Sequence, residues 1–166
     1  MGIEIERRFL VRNEDWKSKI ILSQDFRQGY LNSNSDEWTT RVRIIDSYKA
    51  FITLKSSING LANYEFEYPI PNEDAIELLK LSKYKITKTR YQLKINEKDW
   101  VVDSFKGLNY SLKIAEIELN SESEEIHIPA WCEQEITGMK SFSNASLAKK
   151  PISELSIIDR MKPKDP

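Results

Sequence analysis

Near the start of the chain, EIERR places Glu4, Glu6 and Arg8 two residues apart, with Ile3, Ile5 and Arg7 between them. In an extended chain, residues two apart share a face, so two carboxylates and a guanidinium lie on one side and isoleucines on the other. The pattern recurs. Arg41 and Arg43 share a face in WTTRVRI, as do Thr53 and Lys55 in ITLKS and Glu65 and Glu67 in NYEFEYPI. Lys88 and Arg90 are paired in TKTRYQLK, with Gln92 and Lys94 continuing the row, and Glu116 and Glu118 are paired in KIAEIEL. Asp103 stands between Val101 and Phe105 on its own face. Signs are segregated by segment, whereas a solvated face mixes them. The opposite faces carry Ile, Phe, Tyr and Leu and need covering. A closed barrel with helices outside and charge inside satisfies both conditions. Its interior must hold water, metal and a polyanion, because buried charge without a partner is costly.

The elements that position these residues are mostly strands. Extended segments are expected at 3–11, 25–33, 38–46, 50–57, 63–70, 85–95, 98–105 and 113–121, with a last short one at 133–137. NEK at 96–98 reads as a hairpin connection and SNSDE at 33–37 as a turn. NEDWKSKIIL at 13–22 reads as a short helix with Asn13 as N-cap and Trp16, Ile20 and Ile21 on one side. PNEDAIELLKLSKY at 71–84 changes to a helical period. From Ser143 the chain reads as one or two small helices interrupted by Pro151. The fold class is therefore α+β, mainly β: an eight-stranded antiparallel closed barrel, which curls because closure removes exposed edges.

With 166 residues the chain is expected to form a single domain over 1–166. Its 25 basic and 26 acidic side chains give a net charge of -1, which argues against a general binder of nucleic acid polymers. A single cysteine, Cys132, excludes an intramolecular disulfide, and a single histidine, His127, excludes mechanisms that need two. Neither a signal-peptide run nor a membrane-spanning stretch is expected, so the location is read as cytoplasmic.

The ordered series EIERRFLV, RVR, LK, EFEY, KTRY, VDSF, AEIEL and SFSNASLA resembles the CYTH superfamily, the triphosphate tunnel metalloenzymes, along nearly the whole chain. The match is nearest to the small bacterial branch labelled adenylate-cyclase-like or thiamine-triphosphatase-like. The resemblance implies an eight-stranded tunnel that binds a small-molecule triphosphate and divalent cations, Mg²⁺ or Mn²⁺. Arg41, Arg43, Lys55, Lys88 and Arg90, supported by Arg8, would then bind the phosphates. Glu4, Glu6, Glu65, Glu67, Asp103, Glu116 and Glu118 would hold metal. Glu4, Glu6 and Arg8 would form the catalytic group. In one respect the chain departs from the family signature Glu-x-Glu-x-Lys: Arg8 replaces the lysine, and arginine stays protonated.

The expected function is metal-dependent triphosphate hydrolysis. The alternatives are a class IV adenylate cyclase and a binding module for polyphosphate or nucleotide without turnover. A monomer and a homodimer are both compatible with the sequence. Lys94 is expected at the rim, and Lys149 and Lys150 on a solvated tail helix. Cys132 and the four tryptophans are expected to serve packing, and His127 to be exposed.

Overall fold

The computed structural model of the chain describes residues 2–32 and 38–154. Nine strands form: β1 (Gly2–Val11), β2 (Ile20–Asn32), β3 (Thr39–Ile45), β4 (Lys49–Ser57), β5 (Ala62–Pro69), β6 (Tyr84–Ile95), β7 (Lys98–Phe105), β8 (Lys113–Glu118) and β9 (Cys132–Glu135). The two α-helices are α1 (Asn72–Leu81) and α2 (Asn144–Lys149). Strands β1 to β8 close in the order β1-β5-β4-β3-β2-β6-β7-β8 and back to β1, with every neighbour antiparallel. This is the expected barrel with one strand added.

The addition matters at β1. One edge of β1 pairs with β8 from Glu6 to Leu10. The other edge is divided: Gly2 to Ile5 pair with β5, whereas Phe9 and Val11 pair with β9. Between them, the Ile136 N–H donates to the Arg8 carbonyl at 2.8 Å. The C-terminal segment thus fills a gap in the wall.

Three apolar clusters surround the charged interior. Outside β1, β6, β7 and β8, Phe9, Leu93, Trp100, Val102, Ala115 and Ile117 pack with Trp16 and Trp131. Outside β3 and β4, Val42, Ile44 and Ala50 pack with Ala75 of α1. The third cluster lies on the inward faces: Tyr30, Ile86, Phe105 and Ile114 are buried with Ile136, Met139, Phe142 and Leu147 from the C-terminal segment. Apolar residues therefore seal part of the interior that the charge pattern left unassigned.

The helix expected at 13–22 is only a turn of 3₁₀ helix at Asp15–Lys19, and Ile20 and Ile21 begin β2. Their backbone is taken up by β6, where Ile20 pairs with Leu93 and Leu22 with Gln92, and β-branched residues suit that pleated surface. Asn13 does not cap a helix; its Oδ1 accepts from the Asp15 N–H at 3.1 Å. The hairpin after β6 turns on two residues, Asn96 and Glu97, both with positive φ, which matches the twist of the flanking strands. The expected turn at 33–37 lies outside the described residues.

Gly29 marks where α1 and its C-terminal turn meet β2. A Cβ there would stand 2.5 Å from Ser82 Oγ, 2.7 Å from Ser82 Cβ and 2.8 Å from Leu79 Cδ2. Gly29→Ala is expected to destabilise the fold by about 1–3 kcal/mol through this overlap. Equilibrium denaturation of both proteins measures it, and equal midpoints would contradict the packing described.

Candidate active site

Alternation and antiparallel register bring the charged rows together. Arg41 of β3 is registered with Thr53 of β4, and Thr53 with Glu67 of β5. One row along, Thr39 is registered with Lys55 and Lys55 with Glu65. The side chains connect along these rows. Arg41 Nη2 donates to Thr53 Oγ1 at 3.0 Å and to Glu67 Oε2 at 3.1 Å, and Arg43 Nη1 lies 3.5 Å from the same Glu67 oxygen. Lys55 Nζ is held by Glu4, stands 3.0 Å from Glu65 and is 3.9 Å from Glu6.

On the other side, the register of β1 with β8 sets Arg8 opposite Glu116. Arg8 Nε donates to Glu116 Oε1 at 3.0 Å, and Arg90 Nη2 donates to Glu116 Oε2 at 2.6 Å. Arg90 also makes a forked contact with Asp103, at 2.7 Å for each bond, and Asp103 in turn holds Lys88. A continuous chain runs Arg8–Glu116–Arg90–Asp103–Lys88.

These rows surround one cavity of about 540 Å³. Glu4, Glu6, Arg8, Arg41, Arg43, Lys55, Glu65, Glu67, Arg90, Glu116 and Glu118 all line it. Lys88 and Asp103 do not line it. They are fully buried behind it, with Lys88 Nζ 5.8 Å from the centre of the Phe26 ring and 5.6 Å from that of Phe105. The expectations of a phosphate contact at Lys88 and a metal ligand at Asp103 do not fit these positions, because each side chain is committed to the other.

The C-terminal segment contributes residues that the sequence pattern did not single out. Thr137, Met139 and Lys140 line the cavity, and Lys149, expected on a solvated helix, lines it too. Thr137 Oγ1 accepts from the Arg8 N–H at 3.0 Å and donates to Glu135 at 2.6 Å, while Glu135 binds Arg7 on the outer face. Phe142 offers its carbonyl to Arg8 Nη2 at 3.1 Å. Tyr30, also missed, is buried at the cavity, and its strand neighbours gave no charge signal. Cys132, Trp16, Trp100 and Trp131 are buried in packing, as expected.

Burial and charge set the ionisation of the site. Burial, with Glu6 and Glu65 nearby, pushes Glu4 up to about 7 despite the attraction of Lys55. Burial works against ionisation of Asp103, but Arg90 and Lys88 outweigh it and hold the carboxyl well below the usual range. Glu116 is held low in the same way by Arg90 and Arg8. Burial and the neighbouring Arg41 push Arg43 down to about 10. Among the described residues, the side chains lining the cavity carry three buried polar atoms without a partner: Nε of Arg41, Nε of Arg43 and Oδ1 of Asn144.

Glu6 and Glu118 are directly opposed across β1 and β8, and Glu118 forms no ion pair among the described residues. Opposed like charges repel unless a cation joins them. No three acidic, histidine or cysteine side chains among the described residues are arranged to hold a metal ion as they stand. The donor chemistry of Glu4, Glu6 and Glu118 nevertheless suits a hard divalent cation, since all three offer carboxylate oxygens to one side of the cavity.

A closed antiparallel tunnel with its cations and carboxylates turned inward defines the class of protein: an anion-accepting β-tunnel. The chain matches the CYTH domain over residues 2–150, and it belongs to that family. It is 38% identical over 155 residues to an inorganic triphosphatase of Acetivibrio thermocellus, a match that covers 91% of this chain and 96% of that protein. Among solved structures it is similar to an inorganic triphosphatase, with 30% identity, a TM-score of 0.66, and coverage of 87% of this chain and 93% of that one. It is also similar to a protein of Pyrococcus horikoshii, with 25% identity, a TM-score of 0.58, and coverage of 72% and 79%.

The raised Glu4 gives a pH test. Its pKa is 4.5 when unperturbed and about 7 in the fold. A raised native pKa contributes stability that is complete below the unfolded value and lost as pH rises through the folded one. Glu4→Gln mimics the protonated form throughout. In metal-free buffer its stability relative to the parent is expected to increase between about pH 5 and about pH 8, by up to about 3 kcal/mol. A stability difference that is the same at both pH values, measured by denaturant titration, would contradict this ionisation.

Proposed function

We propose that this chain hydrolyses inorganic triphosphate with the help of a divalent cation, Mg²⁺ or Mn²⁺. The observation that carries the reading is the convergence of Arg8, Arg41, Arg43, Lys55 and Arg90, from four strands, on one cavity of about 540 Å³. Guanidinium forks and a lysine ammonium gathered at one site suit the oxygens of a polyanion. The names of the 38% identical relative and of the 30% identical solved structure support the same substrate.

Arg8, Arg41, Arg43, Lys55 and Arg90 bind the phosphates in this reading. In the free protein most of these cations lean on a carboxylate, so a triphosphate exchanges one anionic partner for another and meets cations already in place. Arg8 stays protonated and is fixed by Glu116, Phe142 and Thr137, so it clamps and orients but takes no proton. Glu65 and Glu67 aim Lys55 and Arg41, and Asp103 with Lys88 anchors Arg90. Glu4, Glu6 and Glu118, with Glu116 beside them, would hold the divalent ion. Such an ion supplies polarisation of a phosphoryl oxygen and a lowered pKa for bound water.

Inorganic triphosphate suits the lining better than a nucleotide. Among the described residues, Tyr30 is the one aromatic side chain at the cavity, so a base finds no stacking platform. A cytoplasmic location suits the single, buried Cys132.

The direct experiment offers tripolyphosphate, thiamine triphosphate and ATP with Mg²⁺ or Mn²⁺, reading phosphate release and cyclic AMP. Phosphate from tripolyphosphate, abolished by EDTA, is expected; cyclic AMP as the main product, or no turnover of any substrate, would overturn the reading. Glu118→Gln is expected to raise the metal concentration for half-maximal turnover about tenfold or more, with thermal unfolding unchanged, because it loses no ion pair. Asp103→Asn is expected to do the reverse. It strands Lys88 and costs about 3–5 kcal/mol of stability, while the metal requirement stays the same. A shifted metal requirement in Asp103→Asn would return that residue to the metal ligands.

A further inference from the structure

Arg7 and Arg8 are neighbours on β1, so alternation sends their side chains to opposite faces of the wall. Arg8 lines the cavity, whereas Arg7 stands outside it with its guanidinium 5.2 Å from the centre of the Phe9 ring. The two are nevertheless connected. Arg7 Nε and Nη2 donate to the two carboxylate oxygens of Glu135, at 2.9 and 2.6 Å. Glu135 Oε1 also accepts from Thr137 Oγ1 at 2.6 Å, and Thr137 Oγ1 accepts from the Arg8 N–H at 3.0 Å. A carboxylate only accepts, so the single hydroxyl proton of Thr137 goes to Glu135 and a lone pair is left for the Arg8 N–H. The Arg7 fork holds the Glu135 carboxyl below its usual range, which keeps it ionised and the order of donors fixed.

These contacts sit where β1 changes partner. Along that edge, Gly2 to Ile5 pair with β5, and Phe9 and Val11 pair with β9. Arg8 falls between the two. Its carbonyl is taken by the Ile136 N–H and its own N–H by Thr137, and the same segment supplies the Phe142 carbonyl to Arg8 Nη2. Residues 136–142 thus hold Arg8 at its N–H, its carbonyl and its guanidinium, with Glu116 of β8 completing the hold. Gly138, at a φ of +74°, lets the segment close on the β4–β5 turn, where a Cβ would stand 3.1 Å from the Gly60 carbonyl oxygen.

We propose that Arg7, Glu135 and Thr137 are positioning residues, a relay that crosses the barrel wall and sets the Arg8 guanidinium in the cavity from outside it; this rests on the reading of Arg8 as a phosphate clamp. A purely stabilising ion pair is the other account of Arg7 and Glu135, and exposure argues against it. With side chains 23% and 39% exposed, the pair adds only modestly to folding. A direct contact with substrate is the other account of Thr137, which lines the cavity, but its hydroxyl proton is already committed to Glu135. What the three residues share is the segment that fixes Arg8. A clamp displaced by a fraction of an ångström loses rate, because phosphoryl transfer is catalysed largely by alignment and charge.

The test combines tripolyphosphate turnover in Mg²⁺ with heteronuclear NMR of the arginine side chains. Glu135→Gln, which breaks the ion pair and keeps the shape, is expected to lower kcat about tenfold or more and to change KM less than about threefold, since Arg41, Arg43, Lys55 and Arg90 still bind the anion. Thr137→Val is expected to match it, and Thr137→Ser, which keeps the hydroxyl, to recover most of the lost rate. In an Arg8→Ala background, Glu135→Gln is expected to change kcat less than about twofold, because no guanidinium is left to place. NMR reads the relay without turnover. The Arg8 Nε–H, bonded to Glu116, is expected to exchange with water several-fold faster in Glu135→Gln and Thr137→Val than in the parent, while the Arg90 Nε–H, bonded to Asp103, keeps its rate. An unchanged kcat in Glu135→Gln, an equal loss with and without Arg8, or exchange that rises equally at Arg8 and Arg90 would overturn the relay. A parent that turns over no triphosphate would overturn the hydrolase reading instead, and the exchange rates alone then decide the relay.

Discussion

The interior of this barrel holds a ring of charge beside an apolar cluster, and the ring of charge has to be neutralised from within. The bonds of Arg90 to both Asp103 and Glu116 meet that constraint most fully. One guanidinium fork satisfies a buried carboxylate on β7 and a cavity carboxylate on β8, and Glu116 passes the connection to Arg8 on β1. Removing either carboxylate would leave a desolvated cation, Lys88 or Arg8, without a counter-charge, which costs far more than an exposed ion pair contributes. The register of β6, β7, β8 and β1 is thereby tied to the positions of the cations. A slip of one residue would turn the whole row to the apolar exterior.

The interior consequently has two regions. At one, Phe26 and Phe105 flank Lys88, and Asp103 neutralises it, so the charge is enclosed and its geometry is rigid. At the other, Glu4, Glu6, Glu65 and Lys55 share charge at partial exposure, and Glu118 is exposed. The first region holds side chains in place. The second has acidic groups in excess of local cations, with Glu4, Glu6 and Glu65 gathered on Lys55. Rigidity on one side and unbalanced charge on the other suit a site that positions an anion firmly while drawing a cation to it.

Much of this was legible in the alternation of residues. A period of two assigns a face without reference to any partner strand, so Glu4, Arg41, Arg43, Lys55, Glu65, Arg90, Glu116 and Glu118 could be placed on inward faces in advance. Depth along a strand was not legible. Lys88 and Arg90 share a face and a strand, yet only Arg90 reaches the cavity, because what flanks Lys88 comes from β2 and β7. Thr137 and Phe142 were invisible for another reason: they act through a hydroxyl and a backbone carbonyl in an irregular segment that has no period. Ile20 and Ile21 misled because a short apolar pair suits a helix or a strand equally until its pairing partner is known.

The divided edge of β1 has a consequence for the order in which the molecule can be made. Arg8 faces Glu116, and its backbone is held by Ile136 and Thr137. During synthesis the first strand therefore emerges more than a hundred residues before the partners that secure it. Until then only its first residues, Gly2 to Ile5, can pair, with β5, and its other edge is open. Its charged alternation keeps such a strand from recruiting neighbouring nascent chains, as inward-pointing charge does at natural sheet edges. Closure waits for the last quarter of the chain, so the tunnel is assembled late, from contacts distant in sequence, and slowly for its size.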